Sequence, residues 1–154
     1  MQFNAHAGEW VTVSDVLFAN LSAAKHAACL TDGAFNPLVL PALIVNGYDR
    51  TFHALTTPET HSPLPAAAWH SIELRPQLRE VRIPAGSAVD LGGGAKRWAA
   101  EQIADTLATH GAYLVNFGGD LVARTARSTR LGSDLADPLG TASLGSVWLR
   151  DASL

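Results

Sequence analysis

The sequence is short of charge. Only 16% of its 154 residues are Asp, Glu, Lys or Arg, and Lys25 and Lys96 are its only lysines. A net charge of −3 without any basic cluster leaves no positive stripe for a phosphate backbone, which excludes electrostatic binding of nucleic acid. A single cysteine, Cys29, rules out an intrachain disulfide, and its setting in SAAKHAACL predicts a small buried hydrophobe. No apolar run reaches the ~18 residues that a membrane-spanning helix needs. The opening MQFNAHAGEW has neither the basic start nor the apolar stretch of a secretory signal, so the sequence assigns no compartment. Internal repeats and low-complexity tracts are missing too.

Several familiar chemistries are absent with them. His53, His61 and His70 are spread along a proline-rich loop at separations unlike those of a zinc pair, and read as exposed or loop-packing residues. There is no G-x-S-x-G nucleophile elbow. Asp134 and Asp137, in SDLADP, read as a cap or turn and not as a catalytic carboxylate pair. What remains is a chain with 47% hydrophobic residues, long enough for one domain with a core, taken here as residues 1–154.

Along the chain, Trp10–Val13 alternates like a short strand. Ser14 stands where an N-cap belongs and Asp15 suits the first helical turn, while Leu17, Leu21, Ala24 and Ala28 recur at helical spacing, which predicts a helix over 14–29. TDGAFNP ends it with turn chemistry. The apolar stretch LVLPALIVNGY is interrupted by Pro41, and residues 56–68 read as a proline-rich loop. Short strands are predicted at 71–74 and 78–83, joined by Arg75-Pro76-Gln77. A helix is predicted from the glycine run to His110, with a buried stripe of Trp98, Ile103 or Ala104, and Leu107, and with Gly111 in the left-handed conformation. AYLVN (112–116) reads as a buried strand ending at Gly118-Gly119-Asp120, where Asp120 reads as a turn cap. After Asp120 the chain is loose and polar, with one strand-like element, SVWLR. Strands and helices without regular alternation predict an α+β fold.

The run VDLGGGAKRW carries the most chemical information. A helix N-terminus presents unpaired N–H groups and about half a positive charge, and preceding glycines remove the side chains that would keep an anion away. Gly92, Gly93 and Gly94 therefore mark a place where a phosphate, or another stretch of backbone, comes close. Lys96 in the first helical turn opposes the helix dipole, which argues for another purpose, and Asp90 just upstream can accept hydrogen bonds. Neither a Walker A loop nor a Rossmann fingerprint fits, since both require a different residue where Arg97 stands.

Read in order, TDGAFNPLV, VDLGGGAKRWAAEQIADTL and YLVNFGGDL, together with GYDRTF between the first two, resemble the FAD:protein FMN transferase family, also called the ApbE family. The resemblance covers most of Trp10 to Asp120 and fades beyond it. It implies an ApbE-like, T-fold-related α+β arrangement and Mg²⁺-dependent transfer of FMN from FAD to a threonine or serine of a target flavoprotein, with release of AMP. It implies that Ala34, Phe35 and Asn36 line the flavin site, partly through backbone; that Asp90 and Lys96 touch FAD; and that the carbonyl of Gly93 is a metal ligand. Asn36 stands for the family's acidic residue, Leu38 for its threonine, and Gly94 and Arg97 for its isoleucine and glycine. The resemblance further implies the central part of the family's domain, without its first strands and its C-terminal metal-site segments, so that activity is expected of the longer enzyme. No general base is identified. Family members are often exported or membrane-anchored. A flavin-nucleotide-binding module without catalysis, or a Mg²⁺-dependent FAD pyrophosphatase yielding FMN and AMP, would use the same residues.

Overall fold

The structure, a computed structural model, describes residues 2–48, 65–125, 129–137, 140 and 142–153. His53, His61, residues 49–52 of GYDRTF and residues 56–64 of the proline-rich loop lie outside the described residues. The chain divides into two compact units, Met1–Gly93 and Gly94–Leu154.

In the first unit a 3-10 turn, Gln2–His6, leads to β1 (Val11–Thr12) and α1 (Asp15–Leu30). Ser14 caps α1 as its residue type demands: its backbone is extended and its Oγ accepts the Leu17 N–H at 3.2 Å. The helix buries Asn20, Leu21, Ala24 and Ala28, and Cys29 falls off that stripe. Cys29 is therefore exposed, which corrects the expectation of a buried thiol. Thr31 ends the helix, and Asp32 and Gly33 reverse the chain with φ of 48° and 82°. Pro41 begins an element and does not interrupt one: it stands in the first turn of α2 (Leu40–Val45), where its missing N–H costs nothing.

Beyond the 3-10 turn Trp69–Ser71 come β2 (Glu73–Arg75), a second 3-10 turn at Pro76–Leu78, and β3 (Glu80–Arg82). These strands make an antiparallel sheet in the order β1-β3-β2, with Val81 opposite both Val11 and Leu74. One apolar cluster of Phe3, Leu21, Leu38, Ile72, Val81, Ile83 and Val89 lies between the sheet and α1 and closes the unit's core.

The second unit opens with α3 (Ala95–Thr106), followed by a 3-10 turn at Ala108–His110. The expected single helix to His110 thus changes character at Leu107. Gly111 has a positive φ of 94° but a ψ of −149°, outside the left-handed helical well. The buried stripe of α3 is Ala100 and Ala104; Ile103 is exposed, and Trp98 and Leu107 are half-buried. Small residues let α3 lie close on β4 (Tyr113–Phe117) and β5 (Asp120–Arg124), whose Val122 completes that cluster. AYLVN is thus a strand as predicted, but half-buried, with Asn116 and Phe117 exposed.

The polar stretch after Asp120 is not loose. It forms β5, β6 (Leu131–Ala136), β7 (Ser143–Leu149) and β8 (Ala152–Ser153). β4, β5 and β8 pair antiparallel, and β6 pairs with β7. Of SDLADP, Ser133–Ala136 are strand, and Asp134 accepts a hydrogen bond from Ser146 Oγ across the ladder at 2.5 Å instead of capping a helix, while the Asp137 carbonyl accepts the Gly140 N–H in a turn. No described helix is long and apolar enough to cross a membrane.

Candidate functional site

Two of the sequence motifs meet within the first unit. The turn after α1 is built by local hydrogen bonds. Thr31 Oγ1 donates to the carbonyl of Ala27 and accepts the Phe35 N–H at 3.0 Å, and Ala34 N–H reaches the Thr31 carbonyl. Asn36 uses both ends of its amide. Its Oδ1 accepts the Leu38 N–H at 2.9 Å and its Nδ2 donates to the Ala67 carbonyl at 3.0 Å. An aspartate could make the first bond but not the second, which is a physical reason for asparagine at this position. The turn is then fixed by Pro37 and Leu38, both fully buried, while Ala34 stays exposed and Phe35 half-buried.

The approach to the glycine run lies beside it. Val89 is held by a two-way bond with the side chain of Asn4: Nδ2 donates to the Val89 carbonyl at 3.0 Å, and Oδ1 accepts the Val89 N–H at 2.9 Å. Asp90 N–H donates to the Pro37 carbonyl at 2.8 Å, which ties this segment to the turn. The Asp90 Oδ1 accepts the Gly92 N–H at 2.7 Å and so shapes the run itself, leaving its second oxygen for another partner. A Cβ on Gly93 would stand 3.2 Å from Phe35 Cε2, so the ring of the turn occupies the space that glycine leaves. What comes close at Gly93 is therefore an aromatic side chain, not the second stretch of backbone that the sequence allowed as the alternative to a phosphate. Ala34, Phe35, Asn36, Asp90 and Gly93 are thereby gathered in one unit.

Lys96 belongs to the second unit. It lies in the first turn of α3, whose N-cap Gly94 offers no side chain, and the first intrahelical bond runs from Trp98 N–H to the Gly94 carbonyl. Its Nζ lies 3.6 Å from Asp120 Oδ2, and its Cδ would be 3.9 Å from a Cβ on Gly118. Phe117 and Asp120 pair across a two-residue hairpin in which Gly118 and Gly119 both have positive φ, 64° and 104°, the conformation that strand twist favours. Asn116 Oδ1 stabilises it by accepting the Gly119 N–H at 3.0 Å. Asp120, expected to cap a turn, instead opens β5 and faces Lys96 of the first α3 turn. Their separation in sequence hides that pairing. Thr31 was also missed, although a threonine directly after a helical stripe is a recognisable turn signal.

Among the described residues no group of three or more His, Cys, Asp or Glu stands close enough to hold a metal. The carbonyl of Gly93 is one oxygen, whereas Mg²⁺ takes about six in near-octahedral array. The described donors therefore do not make a complete magnesium site.

Residues 1–151 match the model of the ApbE family, and the chain belongs to that family. Among solved structures it resembles the ApbE protein of Thermotoga maritima, with 25% identity and a TM-score of 0.76, over 99% of this chain and 52% of that one. It also resembles the flavinyl transferase ApbE of Pseudomonas stutzeri in its apo form, with 20% identity and a TM-score of 0.70, over 97% of this chain and 48% of that one. The flavin transferase ApbE of Vibrio cholerae matches with 20% identity and a TM-score of 0.69, over 99% and 52%. At 20% identity these last two likenesses bear on the fold alone. The chain has the α+β fold of these proteins and spans about half the length of the solved structures it matches. No protein of curated function matches it.

Proposed function

We propose that the chain is part of a flavin transferase that moves FMN from FAD to a threonine or serine hydroxyl of a target flavoprotein, releasing AMP, with Mg²⁺ as cofactor. The observation that carries this reading is the family match over residues 1–151, joined to the packing of the turn 31–38 against the segment 89–93. Two of the structural neighbours, those of Pseudomonas stutzeri and Vibrio cholerae, are flavin transferases. Magnesium dependence rests on the family resemblance alone.

In the reaction so read, the acceptor hydroxyl oxygen forms a bond to the phosphorus of the FMN moiety. The bond from that phosphorus to the bridging oxygen breaks, and AMP leaves with the bridging oxygen. The hydroxyl proton passes to a base that none of the assigned residues supplies. Ala34, Phe35 and Asn36 line the flavin, their backbone fixed by Thr31 and Pro37. Asp90 accepts a hydrogen bond from FAD through its second carboxylate oxygen. Lys96 places a positive charge for a phosphate oxygen, and the uncapped first turn of α3 offers N–H donors of the same sense. Such chemistry depends on positioning and electrostatics more than on a covalent relay.

The test is incubation of the protein with FAD, Mg²⁺ and a flavin-acceptor protein, followed by intact mass. A gain of one FMN on the acceptor, lost on chelation, supports transfer. Free FMN plus AMP without acceptor labelling would make it a pyrophosphatase, and FAD bound but unchanged would make it a binding module.

A further inference from the structure

The segment Ala67–Ser71 carries no motif, yet it bears directly on the turn read above as flavin-lining. Gly33 begins that turn with a φ of 82°, and a Cβ added there would stand 3.0 Å from Trp69 Cδ1 and 3.1 Å from its Nε1. The indole therefore lies on the main chain of the turn, and Trp69 is no member of the apolar core cluster. Two residues earlier, the Ala67 carbonyl takes the Asn36 Nδ2 hydrogen bond. The segment is itself anchored: Ser71 N–H and Oγ both donate to the Ala68 carbonyl, and Lys25 Nζ donates to the Ile72 carbonyl from α1. The turn is thus gripped by Trp69 at Gly33, by Ala67 at Asn36, and by Gly93 against the Phe35 ring.

We propose that Trp69 is a positioning residue for flavin binding, holding the main chain of Ala34–Asn36 in its binding conformation; this rests on the flavin-transferase reading. The physical basis is preorganisation. A turn that must be ordered when the ligand arrives loses affinity by the cost of ordering, and a flat, rigid side chain laid on its backbone removes that cost beforehand. Gly33 suits the arrangement twice over, through its φ and through the indole's approach.

The test compares Trp69→Ala and Trp69→Phe with the parent chain in two measurements: amide chemical shifts of Gly33–Asn36 without ligand, and FAD affinity by calorimetry. Trp69→Ala is expected to displace those amide resonances and to weaken FAD binding by about tenfold or more. Trp69→Phe, which keeps a flat ring, is expected to restore most of both. A general loss of packing would shift core resonances such as Val81 and Ile83 equally and would not be rescued in this selective way, and that pattern overturns the proposal. Unchanged turn resonances in folded Trp69→Ala, or FAD affinity within about twofold of the parent, also overturns it. If the parent itself gives no FAD-induced shifts in the turn, the flavin reading of this chain fails, and the positioning of FAD by Trp69 fails with it; displaced turn amides in Trp69→Ala would then show that only the grip on the turn is real.

Discussion

The two compact units present their candidate residues on different foundations. In the first, two of the assigned residues adjoin large buried side chains: Asn36 precedes Pro37 and Leu38, and Asp90 follows Val89. The cluster beneath them contains Phe3, Leu21, Leu38, Ile72, Val81 and Ile83 as well as Val89. In the second, Asp120 also precedes buried side chains, Leu121 and Val122, but the buried clusters have only three members each. One cluster is Ala100, Ala104 and Val122; the other is Leu121, Ala123 and Leu149. Buried apolar area scales the stabilisation, at about 25 cal/mol per Å², so the first unit draws on much the larger reservoir. The hairpin at Gly118-Gly119 holds its shape through backbone conformation and the Asn116 bond, not through burial. The turn 31–38, which ends in the buried Pro37 and Leu38, is therefore expected to be the harder to open, and the Lys96–Asp120 corner the easier.

The most direct way to break this comparison is to cut each core once. Leu38→Ala removes a fully buried side chain directly after the turn and should cost about 2–5 kcal/mol. Val122→Ala removes two methyl groups from a cluster whose other fully buried members are alanines, and should cost about 1–2 kcal/mol. Denaturant unfolding of both variants measures the difference. Equal losses would mean that the two cores are equivalent and that the argument from burial is mistaken.

Asn4 offers a sharper cut, without touching the apolar core. Its side chain satisfies both the N–H and the carbonyl of Val89, the residue that leads into Asp90. Asn4→Ala leaves both groups without that partner and should cost about 1–3 kcal/mol. Because the change acts at the start of the glycine run, amide exchange at Val89 and Asp90 should accelerate more than exchange in β4 and β5. Uniform acceleration in both units would remove the special role given to this bond.

Much of this arrangement is legible in the residues themselves. Ser14 announces α1 because a hydroxyl before an amphipathic run has one favourable use, and the structure places it there. TDGAFNP and the three glycines mark turns because their residue types restrict the backbone locally, and N-x-G-G-D gives a hairpin for the same reason. SVWLR is a strand as expected, the end of β7, whereas LGSDLA and the start of SLGSVWL escaped because they carry little alternation; their extended state comes from pairing with each other, which is tertiary information. Cys29 misled for a related reason, since a shift of about 100° per residue decides which side of a helix is buried, and Ala28 holds that position. The contact of Trp69 with Gly33 and that of Lys96 with Asp120 join residues far apart in sequence, so no local pattern encodes them.

The smallest expected effect separates stability from binding in the second unit. The Lys96–Asp120 pair is 3.6 Å long, and its side chains are 53% and 35% exposed. At that exposure water screens the attraction, and such a pair contributes about 0–1 kcal/mol. Lys96→Ala and Asp120→Asn should therefore leave unfolding nearly unchanged. If Lys96 serves FAD, Lys96→Ala should still weaken FAD binding about tenfold, the scale of a lost charge-assisted hydrogen bond to phosphate. Asp120→Asn should move affinity the other way or not at all, because it releases the ammonium from a competing carboxylate. A marked loss of stability in either variant would make the pair a structural element and place the corner on the same footing as the turn 31–38. Unchanged FAD affinity in Lys96→Ala, with stability also unchanged, would remove Lys96 from the binding residues and leave the first unit as their only seat.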